Sequence, residues 1–296
     1  MKSYKYCIIG GGPGGIGFLN GLRNTGETDV ILFEGREDFL YTLSFMPFVK
    51  KSSRMFTEEI TGKQFRNFLL ENDDYSRYAK PNSRLIGLDK ENGIGTVNSN
   101  GKEHLTIKYS TLIIAAGALQ SIYGKELLPG YRGAGTFTTY QVSEMLTWYS
   151  FLPGKNLGII GESEYALETA LIAESKGLNV TLFSNSISEK ECINYKSILS
   201  LQGDEHIGAI EIETKSGKRT HYPVDSLAVD GEFSMEHKLR DLIGIEWDID
   251  AWQAGTEHNQ RHPDFENIYV TGDAFKPKFN FLEQYENGYN LAGGLK

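Results

Sequence analysis

The chain has 296 residues, of which 40% are hydrophobic and 23% are charged, and its formal net charge is -9. This length favours two domains, since one domain usually has about 100 to 200 residues. The acidic balance, without any run of Lys and Arg, argues against nucleic-acid binding, because phosphate contacts need clustered cations. No stretch is long and apolar enough to span a bilayer, and the N-terminus is typical of a first strand rather than a signal peptide. We therefore expect a cytoplasmic protein.

The two cysteines, Cys7 and Cys192, lie far apart in the sequence. They form neither a CxxC redox pair nor a cysteine zinc site. Cys7 lies among apolar residues and is predicted to be a small buried hydrophobic side chain. Any redox chemistry is therefore predicted to proceed without a dithiol of this chain.

A glycine-rich loop follows the first predicted strand, Tyr6–Ile9, and precedes a helix with apolar residues at helical spacing. In its GxGxxG pattern, the first glycine permits a tight turn, the second lets a pyrophosphate approach, and the third lets helix and strand pack closely. The next strand, Val30–Phe33, ends at Glu34, where a ribose-binding acid is expected about twenty residues after the loop. These features predict a dinucleotide site. The loop residues concerned are Gly10, Gly12, Pro13, Gly14 and Gly15.

Three later segments resemble, in order, the FAD-binding half of the two-dinucleotide-binding-domain flavoproteins, a group that includes the thioredoxin reductases. Leu112–Gly117 (LIIAAG) is similar to the strand that closes the first FAD segment. Asn267–Ala274 (NIYVTGDA) is similar to the late strand that ends in GD. Gln284–Ala292 (QYENGYNLA) is similar to the last helix, whose N-terminal end points at the flavin pyrimidine. The resemblance implies that the cofactor is FAD.

The resemblance also implies that Asp273 holds the ribityl chain of FAD. A polar chain buried in a cleft needs a fixed carboxylate acceptor, although the alternative is a turn-forming aspartate after a glycine. Outside the glycine loop, the residues implied to contact FAD are Glu34, Gly35, Arg36, Ala116, Gly117, Gly272, Asp273 and Gln284.

The stretch Gly117–Gly161 is most similar to the flavoprotein subunits of amine, opine and glycerol-3-phosphate dehydrogenases. It carries their PG and LPGK elements at Pro129–Gly130 and Leu152–Lys155. The resemblance extends over most of the chain and is weakest over Ser184–Gly231.

A second strand, loop and helix follow at Leu157–Lys176, but the glycine pattern has decayed to Gly161, Ser163 and Ala166. The carboxylate of Glu162 adds negative charge where a helix N-terminus would attract a pyrophosphate. The following strand ends in Ser184 and Asn185, which provide no charged partner for a ribose. We therefore expect little or no NAD(P)H binding at this loop.

Because of Glu168, a nicotinamide site remains one of two alternative interpretations. It matches the glutamate that lies near nicotinamide and flavin in disulfide reductase relatives, while the alternative is a surface acid on an amphipathic helix. Only the stretch Ser184–Glu205 separates the preceding strand from a predicted hairpin at Ile207–Thr214 and Lys218–Pro223. This stretch is too short for another ordinary helix and strand, so the second domain is predicted to be shortened.

Two further groups of residues are considered as parts of a flavin site and of a metal site. Relatives often continue after the ribose acid with GG against the flavin, whereas this chain continues with other residues. The aromatic and methionine side chains there either line the isoalloxazine or form a core, namely Tyr41, Phe45, Met46 and Phe48. His258 and His262 have an i, i+4 spacing, but the stretch is rich in turns and breaks at Pro263, so we expect no metal.

The sequence thus predicts an α/β protein with a Rossmann-like FAD domain that contains a parallel sheet. This domain is formed by residues 1–120 and 237–296, and a shortened second Rossmann-like domain of NAD(P) type, residues 121–236, is inserted. The expected function is that of an FAD-dependent oxidoreductase without a redox dithiol, in which no catalytic residue is identified. The alternative is a non-catalytic or electron-relay FAD- or nucleotide-binding subunit of a larger dehydrogenase complex. We expect a homodimer or a complex subunit, because a shortened domain would leave an apolar sheet face open.

Overall fold

The computed structural model describes residues 1–45, 60–71, 75–120, 128–130, 134–188, 190–244, 260–262, 264–275 and 280–295. They form two compact units, one of Met1–Leu119 with Ser234–Lys296 and one of Gln120–Phe233. The helices described are α1 (Pro13–Asn24), α2 (Gly62–Glu71), α3 (Thr139–Thr147), α4 (Glu164–Ser175), α5 (His237–Ile243) and α6 (Phe281–Gly294). Short 3-10 helices are found at Tyr41–Ser44, Tyr75–Arg77 and Gly272–Ala274.

The strands of the first unit, together with two short strands at its boundaries with the second, are β1 (Lys2–Ile9), β2 (Val30–Phe33), β3 (Ala79–Lys80), β4 (Ser83–Asp89), β5 (Ile94–Ser99), β6 (Glu103–Ile114), β7 (Leu119–Gln120), β15 (Phe233–Ser234) and β16 (Ile268–Val270). Those of the second unit are β8 (Thr136–Thr138), β9 (Asn156–Ile160), β10 (Asn179–Phe183), β11 (Ser197–Gly203), β12 (Ile207–Glu213), β13 (Arg219–Pro223) and β14 (Ser226–Val229). The boundary strands β7 and β15 pair with each other.

The first unit is built on a seven-stranded sheet in the order β3-β2-β1-β6-β5-β4, with β16 also paired to β6. The pairs between β1, β2, β3, β6 and β16 are parallel, while β4, β5 and β6 form an antiparallel meander. The long strand β6 serves both parts, since its first half pairs with β5 and its second half with β1 and β16. This confirms the predicted α/β class with a parallel sheet. The carboxyl ends of β1, β2, β6 and β16 meet at one edge, where open α/β sheets bind ligands.

Helices α1 and α6 of this unit pack backbone against backbone through glycines. A Cβ atom at Gly17 of α1 would meet the carbonyl oxygen of Tyr285, and one at Gly21 would lie 2.6 Å from that of Tyr289. From the other side, a Cβ at Gly288 of α6 would meet the carbonyl oxygen of Gly14. The glycines therefore permit a helix contact that any larger residue would push apart.

Replacement of Gly17 tests this contact. Gly17→Ala is expected to lower the free energy of unfolding by about 1–3 kcal/mol, the usual cost of overpacking. The matched control is Gly293→Ala in α6, where no atom lies within 4 Å of an added Cβ. The control is expected to keep or slightly raise stability, because alanine is the better helix former. Urea unfolding of both variants gives the comparison, and equal losses in the two would contradict the close contact.

The second unit contains a four-stranded parallel sheet in the order β10-β9-β14-β8. Helices α3 and α4 cover one face, where Val142 and Ala170 pack in a core with Leu157 and Ile159 of β9. The antiparallel meander β11-β12-β13 covers the other face, where its apolar residues pack against Ile160. The expectation of an open apolar face is therefore wrong, because the meander buries it. Its strands β12 and β13 confirm the predicted hairpin, while β11 was not predicted.

The connection from β10 to β11 is short. Within the described part of this connection, residues 184–188 and 190–196, the structure has no helix and only one parallel bridge, between Phe183 and Ile193. The assignment of this unit as a shortened domain of NAD(P) type stays a prediction. None of the helices in the described ranges has the length and apolarity to cross a membrane.

Candidate functional site

The first glycine loop joins β1 to α1 at the carboxyl edge of the large sheet, and two of its glycines hold the loop in shape. Gly10 has a φ of +109°, and a Cβ there would meet the carbonyl oxygen of Ala115. The Gly10 N–H donates to the Phe33 carbonyl at 2.8 Å. A Cβ at Gly15 would meet the Gly10 carbonyl oxygen. Both positions therefore require glycine for the fold itself.

Gly12 differs from these two glycines because it faces open space. No atom of the described residues lies within 4 Å of an added Cβ, and its φ of -76° is one that other residues adopt. Gly12 is the N-cap of α1, and none of the described side chains caps this helix end or places an acid in its first turn. Pro13 at the first helical position has no N–H to satisfy. The loop therefore presents an uncapped helix N-terminus, with its partial positive charge, to an open volume that suits a pyrophosphate.

Glu34 follows β2 and reaches back to this loop. Its carboxylate accepts the Gly11 N–H at 2.6 Å and the Arg36 N–H at 2.7 Å. Burial raises the pKa of Glu34, while these two hydrogen bonds oppose the rise. A carboxylate has about four acceptor positions, so two remain for ribose hydroxyls. The next residue, Gly35, lies beside Arg84, whose Nε is 3.1 Å from a Cβ added at Gly35.

The GD turn after β16 lies against the first glycine loop. The Thr271 N–H donates to the Ile114 carbonyl at 2.9 Å, which holds the turn beside the end of β6. A Cβ at Gly14 would lie 3.2 Å from the Cα of Gly272, whose own φ is +67°. Asp273, 7% exposed, lies in the short 3-10 helix that begins at Gly272. The chain thus brings the buried carboxylate of Asp273 to the turn that touches α1, although the two segments are far apart in sequence.

The end of β6 completes this edge. The Cα of Ala116 lies 2.8 Å from an added Cβ at Gly10, so the backbone of the two segments is in contact. Gly117 has a φ of +73° and no atom within 4 Å of an added Cβ. The structure therefore places Ala116 and Gly117 beside the first glycine loop.

Two buried polar side chains here have no hydrogen-bond partner within the described part of the chain. These are the Thr271 hydroxyl and the Nε2 group of Gln284, in residues that are 0% and 5% exposed. Gln284 lies in the first turn of α6, which begins after its N-cap Asn280. A buried polar group without a partner costs about 1–3 kcal/mol. A polar ligand at this edge would supply the missing partners, and the sequence pattern had not indicated Thr271.

The residues after Glu34 fold back onto the loop. The Leu40 N–H donates to the Gly11 carbonyl at 2.9 Å, and Leu40 adopts a left-handed φ of +56°. Phe45 is 2% exposed and packs edge-on against Tyr41, with ring centroids 5.6 Å apart. Phe45 is therefore part of a core. Met46 and Phe48 lie outside the described residues.

The second glycine loop, between β9 and α4, is filled by the chain's own side chains. Ser163 is the N-cap of α4, and its hydroxyl accepts the N–H groups of Tyr165 and Ala166 at 3.1 and 3.3 Å. Asp230, directly after β14, accepts the Ser163 N–H at 3.0 Å. The sequence interpretation treated Ser163 only as the loss of a pattern glycine and did not identify Asp230. In the structure, both act as caps on the helix that would receive a pyrophosphate.

Glu162 lies in this loop, whereas Glu168 lies in the helix that follows it. The Glu162 carboxylate accepts hydrogen bonds from Ser184 at 2.7 Å, from the Asn185 N–H at 3.0 Å and from the Ser186 N–H at 2.8 Å. Burial raises the pKa of Glu162, but these bonds more than offset it and the pKa is lowered. Glu168 is half-buried on α4. Glu162 therefore holds the turn after β10, where a dinucleotide ribose would bind.

Two remaining candidate residues, His262 and Cys7, are buried within the fold. Both ring nitrogens of the buried His262 are engaged, since Nδ1 accepts the Asp264 N–H at 3.1 Å and Nε2 lies 3.0 Å from the Ile243 carbonyl. Burial lowers the pKa of His262. His258 lies outside the described residues. Cys7 is fully buried in β1, which confirms its predicted place in the core, and burial raises the pKa of its thiol.

Solved structures with this fold include three oxidoreductases. The chain superposes on the thioredoxin reductase of T. acidophilum with a TM-score of 0.73 and 17% identity, covering 100% of this chain and 98% of that one. The bacillithiol disulfide reductase Bdr of Bacillus cereus gives 0.69 and 15%, covering 99% and 98%. The L-proline dehydrogenase of P. horikoshii gives 0.72 and 18%, covering 99% of this chain but only 55% of that one. These identities establish a shared fold.

Comparison by sequence gives the family. No curated protein matches the chain. The family profile described as pyridine nucleotide-disulphide oxidoreductase matches residues 4–187, which is more than half of the 296 residues and includes both glycine loops. The chain therefore belongs to the pyridine nucleotide-disulphide oxidoreductase family of FAD-dependent oxidoreductases.

Proposed function

We propose that this protein binds FAD at the first glycine loop and transfers electrons through it without a dithiol of its own. Family membership implies FAD and a pyridine nucleotide as cofactors. The observation that carries the proposal is the uncapped N-terminus of α1 at Gly12, which opens onto free space and touches the turn before Asp273. A negatively charged pyrophosphate suits this helix end.

The proposed contacts follow from the geometry of the first unit. The N-terminus of α1 would receive the pyrophosphate, and Glu34 would accept hydrogen bonds from the adenosine ribose. Asp273 would hold the ribityl chain, and the buried amide of Gln284 would gain the polar partner that it lacks within the described ranges. The remaining residues proposed to line the cofactor are Gly10, Pro13, Gly14, Gly15, Gly35, Arg36, Ala116, Gly117 and Gly272.

When bound, FAD supplies hydride or single-electron transfer, and the protein positions it and sets its electrostatic surroundings. The thiol of Cys7 is fully buried, which removes it from any exchange with a substrate. Electrons are therefore proposed to reach the flavin from an organic substrate or a protein donor, since the second loop is capped by Ser163 and Asp230. No residue is assigned as a catalytic acid or base.

A second candidate function is that of an electron-relay or non-catalytic subunit within a larger dehydrogenase complex. The capped second loop favours it, because a subunit that does not take electrons from a pyridine nucleotide must receive them elsewhere. Reduction of the bound flavin by a small organic donor alone, in the absence of any other protein, would favour the self-sufficient enzyme. Reduction only after a second protein is added would favour the relay.

The proposed test is the absorbance spectrum of the purified protein. The wild type is expected to be yellow and to release FAD, in a ratio of about one per chain, on denaturation. Apoprotein prepared by flavin removal is expected to regain the spectrum on incubation with FAD but not with FMN, which lacks the adenosine half that Glu34 would bind. A colourless protein that cannot be reconstituted with FAD would overturn the proposal.

We also propose that the protein works as a homodimer, or beside another subunit, in the cytoplasm. Four large apolar side chains that are close together in the sequence lie exposed after α3, and large exposed apolar surfaces often mark sites of protein association. Their exposed fractions are 44% for Trp148, 63% for Tyr149, 57% for Phe151 and 50% for Leu152. Light scattering is expected to give the mass of a dimer, and Tyr149→Asp with Phe151→Asp is expected to give a monomer. A monomeric wild type would contradict self-association.

A further inference from the structure

We propose that Asp230 closes the second glycine loop to dinucleotides, because its carboxylate occupies the place where their pyrophosphate would bind. This inference goes beyond the FAD proposal and does not depend on it, because every residue concerned lies in the second unit. The loop is then a dinucleotide site closed by the chain's own carboxylate, and removal of that carboxylate opens it.

The position of Asp230 is fixed by the parallel pairing of β14 with β9. Val229 pairs with Ile160, and the next N–H, that of Asp230, donates to the Ile160 carbonyl at 2.8 Å. Asp230 therefore leaves the sheet directly beside Gly161, the first residue of the loop. A Cβ at Gly161 would collide with the Cβ of Asp230. Backbone hydrogen bonds thus hold the aspartate against the loop.

The carboxylate of Asp230 then takes the donors of the helix end. Oδ2 accepts the Ser163 N–H at 3.0 Å, and Oδ1 accepts from Nε2 of Gln120 at 3.2 Å. Gln120 is itself held in place, because its Oε1 accepts the Thr139 hydroxyl at 3.0 Å. Free N–H groups at the start of a helix after a βα turn are the groups that bind a pyrophosphate in this type of fold. Here the Asp230 carboxylate accepts the first of them, that of Ser163, and the Ser163 hydroxyl accepts those of Tyr165 and Ala166.

The comparison with the first loop of the same chain supports this interpretation. At Gly12 the helix end has no side-chain cap from the described residues and opens onto free space. At Ser163 the equivalent helix end has a hydroxyl cap and the Asp230 carboxylate. One chain therefore contains an open and a closed version of the same strand, loop and helix. The difference lies in side chains rather than in backbone architecture.

Glu162 closes the ribose end in the same way. Its carboxylate accepts three hydrogen bonds from the turn after β10, donated by the Ser184 hydroxyl and by the N–H groups of Asn185 and Ser186. The two acids together would place two negative charges where a dinucleotide brings its own. Asp230 is the decisive residue, because it occupies the helix end itself, whereas Glu162 faces the neighbouring turn.

The test is calorimetric titration with ADP-ribose, which carries a pyrophosphate and two riboses but no redox group. Wild-type protein is expected to bind it with a Kd in the millimolar range or weaker. Asp230→Gly is expected to bind at least tenfold more tightly, and Asp230→Asn, which keeps the shape but loses the charge, is expected to gain less. The titration uses protein that has been loaded with FAD and freed of excess FAD, because free FAD is itself a dinucleotide and would compete for an opened second loop. If the first loop does not hold FAD, ADP-ribose binding there is expected to be the same in the wild type and in the Asp230 variants, which distinguishes that failure from a failure of this inference.

Asp225→Asn is the matched control. Asp225 lies just before β14, at the opposite end of the strand, and likewise accepts backbone N–H groups, those of Lys155 and Asn156, at 3.0 Å. Its replacement removes the same charge from the same unit but is expected to leave ADP-ribose affinity unchanged. Thermal unfolding verifies that each variant is folded. Micromolar binding by the wild type, or equal affinities of Asp225→Asn and the two folded Asp230 variants, would overturn the inference.

Discussion

Gly12→Val is expected to give a folded protein that no longer retains FAD. Within the part of the chain that the structure describes, no atom lies within 4 Å of an added Cβ at Gly12, so the valine methyl groups are expected to disturb no packing there. They fill the volume in front of the α1 N-terminus that we assign to the pyrophosphate. Affinity for FAD is expected to fall by roughly a hundredfold or more, which corresponds to about 2.7 kcal/mol.

The measurement is flavin absorbance per mole of protein after reconstitution and gel filtration, together with thermal unfolding. The matched variant is Gly15→Ala, three residues along the same loop, where the new Cβ meets the Gly10 carbonyl oxygen. Gly15→Ala is expected to lose stability as well as flavin, while Gly12→Val loses flavin alone. Asp273→Ala is expected to weaken retention as well. A Gly12→Val protein that keeps stoichiometric FAD would place the pyrophosphate elsewhere.

The different roles of these glycines follow from the sequence pattern. The GxGxxG spacing and Glu34 predicted the strand, turn and helix correctly, because these elements are close together in the chain, within residues 6–34. The pattern also predicted a separate role for each glycine, namely a tight turn at Gly10, the approach of a pyrophosphate at Gly12 and close helix–strand packing at Gly15. The coordinates add the atoms concerned, since Gly10 and Gly15 face backbone carbonyls while no atom of the described residues lies near a Cβ added at Gly12.

The second loop was harder to predict because its decisive residue is remote. Asp230 is 67 residues from Ser163, and strand β14, which brings it back, lies beyond three strands of meander. No motif marks this aspartate. The sequence placed negative charge at the loop through Glu162, whereas the Glu162 side chain turns to Ser184–Ser186 and Asp230 occupies the helix end. Weak nucleotide binding was expected from Glu162 and from the decayed glycine pattern, whereas the contribution that we propose for Asp230 was not anticipated.

The expectation of an exposed sheet face failed for a related reason. The strand β11 has polar residues at several positions and is only half-buried along most of its length, so its sequence lacks the alternation that indicates a strand. Once β11 joins the predicted hairpin, the meander is wide enough to cover the sheet. The exposed aromatic residues that support association lie instead after α3, in a stretch whose exposure no local pattern indicated.

NADH and NADPH are expected to reduce the bound flavin slowly or not at all, although the chain belongs to a family named for pyridine nucleotides. A useful dinucleotide site with a micromolar Kd has about 8 kcal/mol of binding free energy. Two like charges about 4 Å apart repel by about 4 kcal/mol at an effective dielectric constant of 20. With the Asp230 carboxylate on the Ser163 N–H, about 4 kcal/mol remains, which corresponds to a millimolar Kd.

Anaerobic stopped-flow mixing of the FAD-loaded protein with each nucleotide is the measurement. Flavin absorbance is expected to stay unbleached on the time scale of turnover at micromolar nucleotide, and any slow loss is expected to rise linearly with concentration, without saturation. Dithionite provides the control, since it reduces the flavin without a binding site and shows that the bound cofactor is redox-active. Rapid bleaching that saturates at micromolar NADH or NADPH would show that the capped loop opens in solution. The protein would then be a self-sufficient reductase, with Glu168 on α4 as the first residue to test beside the nicotinamide.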